Sequence, residues 1–315
     1  MDSVRELKST RQGFGKALLE LGKKNKKVVV LSADLTSSVQ AHKFEEKYPT
    51  RFFQAGVAEQ NMISMATGLS LESFIPFATS FGVFVPMRCL DQIRVSVCYN
   101  NSNVKLVGSH CGLSTGEDGA THQALEDVAS LRSLPNMTII EPCDYNQTIL
   151  ATKAIVNMNG PAYLRIHRPK MKQLTKISSK FKIGKADIIQ KGEKLTIITS
   201  GPVLVEVIKA SKILVKEKII NFKPEIINCH TIKPIDYKTI INSVKKTNKV
   251  LVIQDHQIVG GLGSSVCEVL SQHFPAPVKI LGMKDKFGES GSPKELWHRY
   301  GLDHEGIMRE IKKFV

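Results

Sequence analysis

The chain has 315 residues, 42% of them hydrophobic; that length admits two domains with cores of their own, and no apolar run reaches the roughly 18 residues a membrane helix needs. Its formal net charge of +15 comes from dispersed lysines without a recognition module, which argues for a solvated basic surface and against nucleic-acid binding. The six cysteines form no Cys-x-x-Cys pair and Met1-Asp2-Ser3-Val4-Arg5-Glu6 has no apolar stretch, so reduced thiols, no signal peptide and a cytoplasmic location are expected.

In chain order, apolar positions at helical spacing (Leu7, Phe14, Leu18, Leu21) predict a helix over residues 3–25. Val28-Val29-Val30-Leu31 is an uninterrupted apolar strand that stops at Ser32-Ala33-Asp34. A strand near 51–55, a helix over 58–71, a strand over 74–79 and a helix over 86–99 follow. Then come a strand over 104–109, a loop, a helix over 122–133, a strand over 137–140, a helix over 144–158 and a strand over 162–166. Apolar strands alternating with amphipathic helices mean a mostly parallel sheet covered on both faces. Residues 173–190 are lysine-rich and weakly periodic, and read as a linker between a first domain, 1–172, and a second, 191–315. The second domain repeats the alternation, with strands over 195–199, 226–229, 250–253 and 278–281, helices between them, and two short helices at the end. Its Gly260-Gly261-Leu262-Gly263 run lacks the full dinucleotide fingerprint and reads as a tight turn into a helix. The fold class is therefore α/β in both domains.

In open α/β sheets, ligands bind beyond the carboxyl ends of the strands. Asp34, Glu59, Phe81 and His110 fall at such ends or just past them. Glu59 alone would read as an acid complementing the dipole of its helix. The loop from Gly108 to His122 is harder to explain by packing, since it holds two histidines, two acids and four glycines between a strand and a helix. Histidine beside carboxylate is apparatus for proton transfer near neutral pH, and glycine lets backbone approach a ligand closely. Phe81 and Phe84, three residues apart, suit either a core or stacking on a flat heteroaromatic ring.

Several segments together resemble the C-terminal half of transketolase, its pyrimidine-binding and C-terminal domains. They are Ala58-Glu59-Gln60-Asn61-Met62, Cys89-Leu90-Asp91-Gln92-Ile93-Arg94, Ser109-His110-Cys111-Gly112 with Gly116-Glu117-Asp118-Gly119, and Leu125-Glu126-Asp127 through Pro135-Asn136. The likeness is densest from Arg11 to Arg168 and afterwards rests on layout and on Asp255-His256 with the glycine run. It implies that Glu59 hydrogen-bonds the pyrimidine nitrogen of thiamine diphosphate and favours the tautomer that takes the thiazolium proton. It also implies that Phe81, Phe84 and Met87 flank the pyrimidine, with Met87 where the family often has an aromatic, and that Asp34 lies near the cofactor across a subunit contact. His110, with a catalytic part, and Asp118 would bind sugar hydroxyls beside His122. Arg11, Ser38 and Arg168 would hold the sugar phosphate, for which a guanidinium fork is well shaped.

The family binds the diphosphate and its magnesium (or calcium) through a Gly-Asp-Gly motif, and none occurs here. On this resemblance the chain holds no metal itself and is one subunit of a split transketolase. It would need a diphosphate-binding N-terminal partner and associate with itself, as a heterotetramer acting on sugar phosphates of the pentose phosphate pathway. A 1-deoxyxylulose-5-phosphate synthase-like enzyme is the alternative, against which Ser109-His110-Cys111-Gly112 argues. A 2-oxoacid dehydrogenase beta subunit fits Arg11 and Arg168 poorly, and a non-catalytic assembly subunit has no need of Glu59, His110 and Asp118 together.

Overall fold

The computed structural model describes residues 7–315. The first turn of the expected N-terminal helix, residues 3–6, lies outside them. The helix is seen over Thr10–Lys24, because Ser9 and Gln12 form a capping box that fixes its start.

The strands are β1 (Val28–Ser32), β2 (Phe52–Gln54), β3 (Ile75–Phe81), β4 (Lys105–Ser109), β5 (Thr138–Ile140), β6 (Ala162–Arg165), β7 (Asp187–Gln190), β8 (Thr196–Thr199), β9 (Glu225–Asn228), β10 (Thr231–Lys233), β11 (Val250–Gln257) and β12 (Val278–Met283). They form a 7-stranded sheet in the order β10-β5-β6-β4-β3-β1-β2 and a 5-stranded sheet in the order β12-β11-β8-β9-β7. Only the edge strands β10 and β7 run antiparallel to their neighbours, β5 and β9. The α/β reading with mostly parallel sheets is thus what the molecule has.

On one face of the larger sheet the helices Thr10–Lys24 and Tyr145–Val156 pack so closely that a Cβ on Gly13 would collide with the Tyr145 carbonyl. Phe14, Leu18, Val30, Phe77, Val107 and Ile155 fill that layer. On the other face Met62, Ile63 and Ala66 of the helix Glu59–Leu71 join Ile93 and Val97 in a core that continues into the second domain through Ile198, Ile227, Val252 and Val266. One apolar cluster therefore spans both sheets.

Several expectations needed adjustment. The last four residues of the stretch read as a linker form β7, which pairs with β9, so order begins before residue 191. Residues 231–233, assigned to no element from the sequence, cross back as β10 onto β5 of the first sheet. A short helix, His42–Lys47, went unpredicted. The helix expected over 122–133 starts only at Asp127, because residues before it are tied to the loop they follow: Gly112 N–H donates to the Ala124 carbonyl at 2.8 Å. The helix expected over 86–99 is a 3-10 turn, Met87–Cys89, then a helical stretch whose Ile93–Tyr99 part is π-helical.

Candidate active site

The carboxyl ends of β1, β2, β3, β4 and β6 open toward one edge of the larger sheet, and the expected site residues gather there. The chain leaves β2, turns at Gly56 (φ 68°) and enters the helix Glu59–Leu71 with Glu59 as its first residue. Glu59 is only 5% exposed. Arg88 Nη1 donates to both of its carboxylate oxygens, at 3.3 and 3.4 Å.

The aromatic residues at the end of β3 form a column. The Phe81 and Phe84 rings are nearly parallel, 13° apart with centroids at 5.9 Å. The His110 imidazole stacks on Phe81 at 3.9 Å, and His122 meets Phe81 and Phe84 edge-on at 6.1 and 5.5 Å. The group over the Phe84 face is the Arg88 guanidinium, 3.9 Å from the ring centroid. Met87 is half-buried, and the cation over the Phe84 ring is the residue after it. Arg88 was missed from the sequence, although it is the one cation in the Phe77–Arg88 stretch.

His110 follows β4 with φ 57° and is buried. Its Nδ1 shares a 3.0 Å hydrogen bond with Ser109 Oγ, and its carbonyl accepts from the Thr115 hydroxyl. Burial, then the charges of Arg11, Arg168, His122 and His167, push its pKa down to about 3. At neutral pH the ring is uncharged, so it offers one donor and one acceptor nitrogen.

The loop after His110 is held from the second domain. Gly112 (φ 74°) lies against the Asp255 carboxylate with no room for a Cβ. Asp255 Oδ1 accepts from Leu113 N–H at 2.8 Å, and Oδ2 accepts from Trp297 Nε1 at 3.0 Å. Ser114 Oγ and His167 Nδ1 lie 3.2 Å apart, and His167 Nε2 reaches Glu141 at 2.9 Å.

The two arginines expected to hold an anion converge on the same place. Arg11 Nη1 donates to the Ser38 carbonyl at 2.9 Å. Arg168 Nη1 donates to the Thr115 carbonyl at 2.8 Å and to Glu117 at 2.9 Å, with Asp118 at 4.0 Å. Burial, and then the nearby Arg168 charge, make Arg11 easier to deprotonate than usual. Asp34 stands apart: exposed just beyond β1 with φ 57°, it takes part through its N–H on Gln54 at 2.9 Å, and its carboxylate bonds to none of the other site residues.

The donor set decides what could sit here. A buried carboxylate beside an aromatic column suits a flat, nitrogen-bearing ring. Among the described residues no trio of metal-ligating side chains gathers at these strand ends; the one such trio is His298, Asp303 and Glu305 in the second domain, where Asp303 already caps a helix. The pyrimidine side of thiamine diphosphate fits this donor set.

Comparisons with known proteins match both domains of the chain. "Transketolase, pyrimidine binding domain" matches residues 7–173, and "Transketolase, C-terminal domain" matches residues 184–307. A putative transketolase C-terminal section of Methanocaldococcus jannaschii is 43% identical over 313 residues, covering 97% of each chain. The 6-deoxy-6-sulfo-D-fructose transketolase subunit of a Clostridium species is 36% identical, covering 95% of this chain and 92% of its own. Human transketolase is 33% identical over 98% of this chain, which spans only 49% of it. Among solved structures, a split-gene transketolase in the form of an inactive beta4 tetramer superposes with a TM-score of 0.90 at 38% identity, covering 97% and 98% of the two chains.

Proposed function

The chain belongs to the transketolase family, and from that premise we propose that it is the pyrimidine-binding and C-terminal subunit of a split transketolase. The reaction is transfer of a two-carbon ketol unit from a ketose phosphate to an aldose phosphate, in the manner of the pentose phosphate pathway. The observation that carries the reading is Glu59, buried at a helix start and linked through Arg88 to Phe84 of the stacked Phe81–Phe84 pair. Thiamine diphosphate, when bound, supplies the carbon nucleophile.

This chain's residues have four tasks. Glu59 holds a proton at the pyrimidine ring. Phe81 and Phe84 present faces against which that ring lies. His110, uncharged, hydrogen-bonds sugar hydroxyls beside His122 and Asp118. Arg11, Ser38 and Arg168 bind the sugar's anionic end. The names of relatives extend to sulfofructose and apulose 4-phosphate transketolase subunits, whose substrates share an anionic end and differ elsewhere. The arginine pair therefore supports an anionic sugar as a class.

The other half of the cofactor site would come from a separately encoded subunit that binds magnesium and diphosphate. The sequence has no Gly-Asp-Gly motif, and the match to a relative named as a C-terminal section supports this reading. A heterotetramer built on self-association through both domains is the assembly we propose. No helix among the described residues is long and apolar enough to cross a membrane, and a cytoplasmic location is part of the proposal.

The test is to purify the chain with and without its partner and assay xylulose 5-phosphate plus ribose 5-phosphate with thiamine diphosphate and magnesium. Activity is expected from the pair alone; turnover by this chain by itself contradicts the split site, and pyruvate consumption favours the deoxyxylulose alternative. Glu59→Ala should lower turnover of the pair by at least about 10²-fold with an unchanged melting curve. Near-normal activity of that variant would sink the mechanism.

A further inference from the structure

Arg88 has a position that the function above does not use. Its guanidinium carbon lies 3.9 Å from the centre of the Phe84 ring, and Nη1 reaches both oxygens of Glu59. Glu59 has no other side-chain partner among the described residues, whereas half of the Arg88 side chain is in water. A guanidinium is a flat, delocalised cation with N–H donors in its own plane. A flat face against an aromatic ring and an in-plane contact to a carboxylate are also how an aminopyrimidine would be held between Phe84 and Glu59.

We propose that Arg88 is a resident stand-in for the cofactor's pyrimidine ring. It fills the place between Phe84 and Glu59 in the unloaded chain and swings into solvent when the ring takes that place. This rests on the reading of Glu59 and Phe84 given above. The side chain is free to leave because an ion pair through one nitrogen, half in water, is a weak tether. The backbone need not follow: the Arg88 carbonyl accepts from Gln60 Nε2 at 3.0 Å, and its N–H donates to the Phe84 carbonyl at 3.1 Å. The advantage to the unloaded subunit is that its buried carboxylate is never without a counter-charge. The consequence is that cofactor binding must first displace the arginine.

Thiamine diphosphate binding to the assembled two-subunit protein, measured by calorimetry, tests this. Arg88→Ala and, as a second variant, Arg88→Gln should bind it about two- to five-fold more tightly than the natural chain, the gain from removing a weak competitor. In a Glu59→Gln background, where the arginine has lost its counter-charge, Arg88→Ala should bring no such gain. Melting curves establish that each variant is folded. Unchanged or weaker binding by both Arg88 variants, while the natural protein binds, overturns the stand-in and leaves the Glu59 reading intact. Binding by neither the natural protein nor the variants overturns both.

Discussion

Arg165 and Arg88 both meet carboxylates, and water reaches only one of them. Arg165 is fully buried: Nε donates to Asp127 at 2.8 Å, Nη1 to Glu141, and Nη2 to the carbonyls of Ala124 and Asp255 at 2.9 and 3.0 Å. Burial alone would raise the Glu141 pKa, yet Arg165, His167 and Ser200 together hold it well below the usual carboxylate range. Those contacts tie β6, the helix starting at Asp127 and both domains into one piece. Arg88, half exposed and opposite a single carboxylate, ties nothing together. The same pair of residue types thus makes a permanent weld where every guanidinium nitrogen is bonded in a dry interior, and a replaceable contact at the rim of a site.

The contrast can be broken at either end. Arg165→Ala leaves Asp127 and Glu141 as buried charges without their partner, and should cost about 3–5 kcal/mol or prevent folding. Chemical denaturation checks this, and a loss below about 1 kcal/mol would show that the weld is not one.

Protonation probes the same difference. Burial pushes His110 down to about 3 and His230 to about 4. Their unfolded forms take up protons near 6.5 while the folded forms do not, so stability is present above that value and falls as pH drops from about 6.5 toward 3–4. At pH 5 each should cost about 2 kcal/mol, and His110→Gln should flatten the slope in denaturation midpoints measured from pH 7 to 5. Equal stability at both ends would refute the burial argument. The rim should respond less than the weld: Arg88→Ala removes a half-exposed partner and should cost less unfolding free energy than Arg165→Ala, and an equal loss would place Arg88 among the welds.

Much of this was legible in the sequence. Uninterrupted apolar strands such as Val28–Leu31 declared a parallel sheet, and a parallel sheet declares which ends of its strands face a ligand; Glu59, Phe81 and His110 stand at that edge. What stayed hidden depends on contacts between distant residues. Thr231-Ile232-Lys233 is too short to announce a strand by itself, and it pairs with the edge that β5 offers. Nothing near Arg165 in the sequence shows that Asp127 and Glu141 will meet it. That the Arg88 guanidinium lies over the Phe84 face depends on the turn between them, which the sequence does not reveal.

The strand β10 bears on how such a protein can be divided by evolution or by hand. Residues 173–186 have the look of a seam where a gene might be cut. A cut there would sever the first sheet from one of its own strands, leaving β5 with an open edge. It would also take Asp255 away from the Leu113 N–H and Ser200 away from Glu141. A division of transketolase that leaves both of these domains on one chain keeps intact the pieces that are threaded through each other.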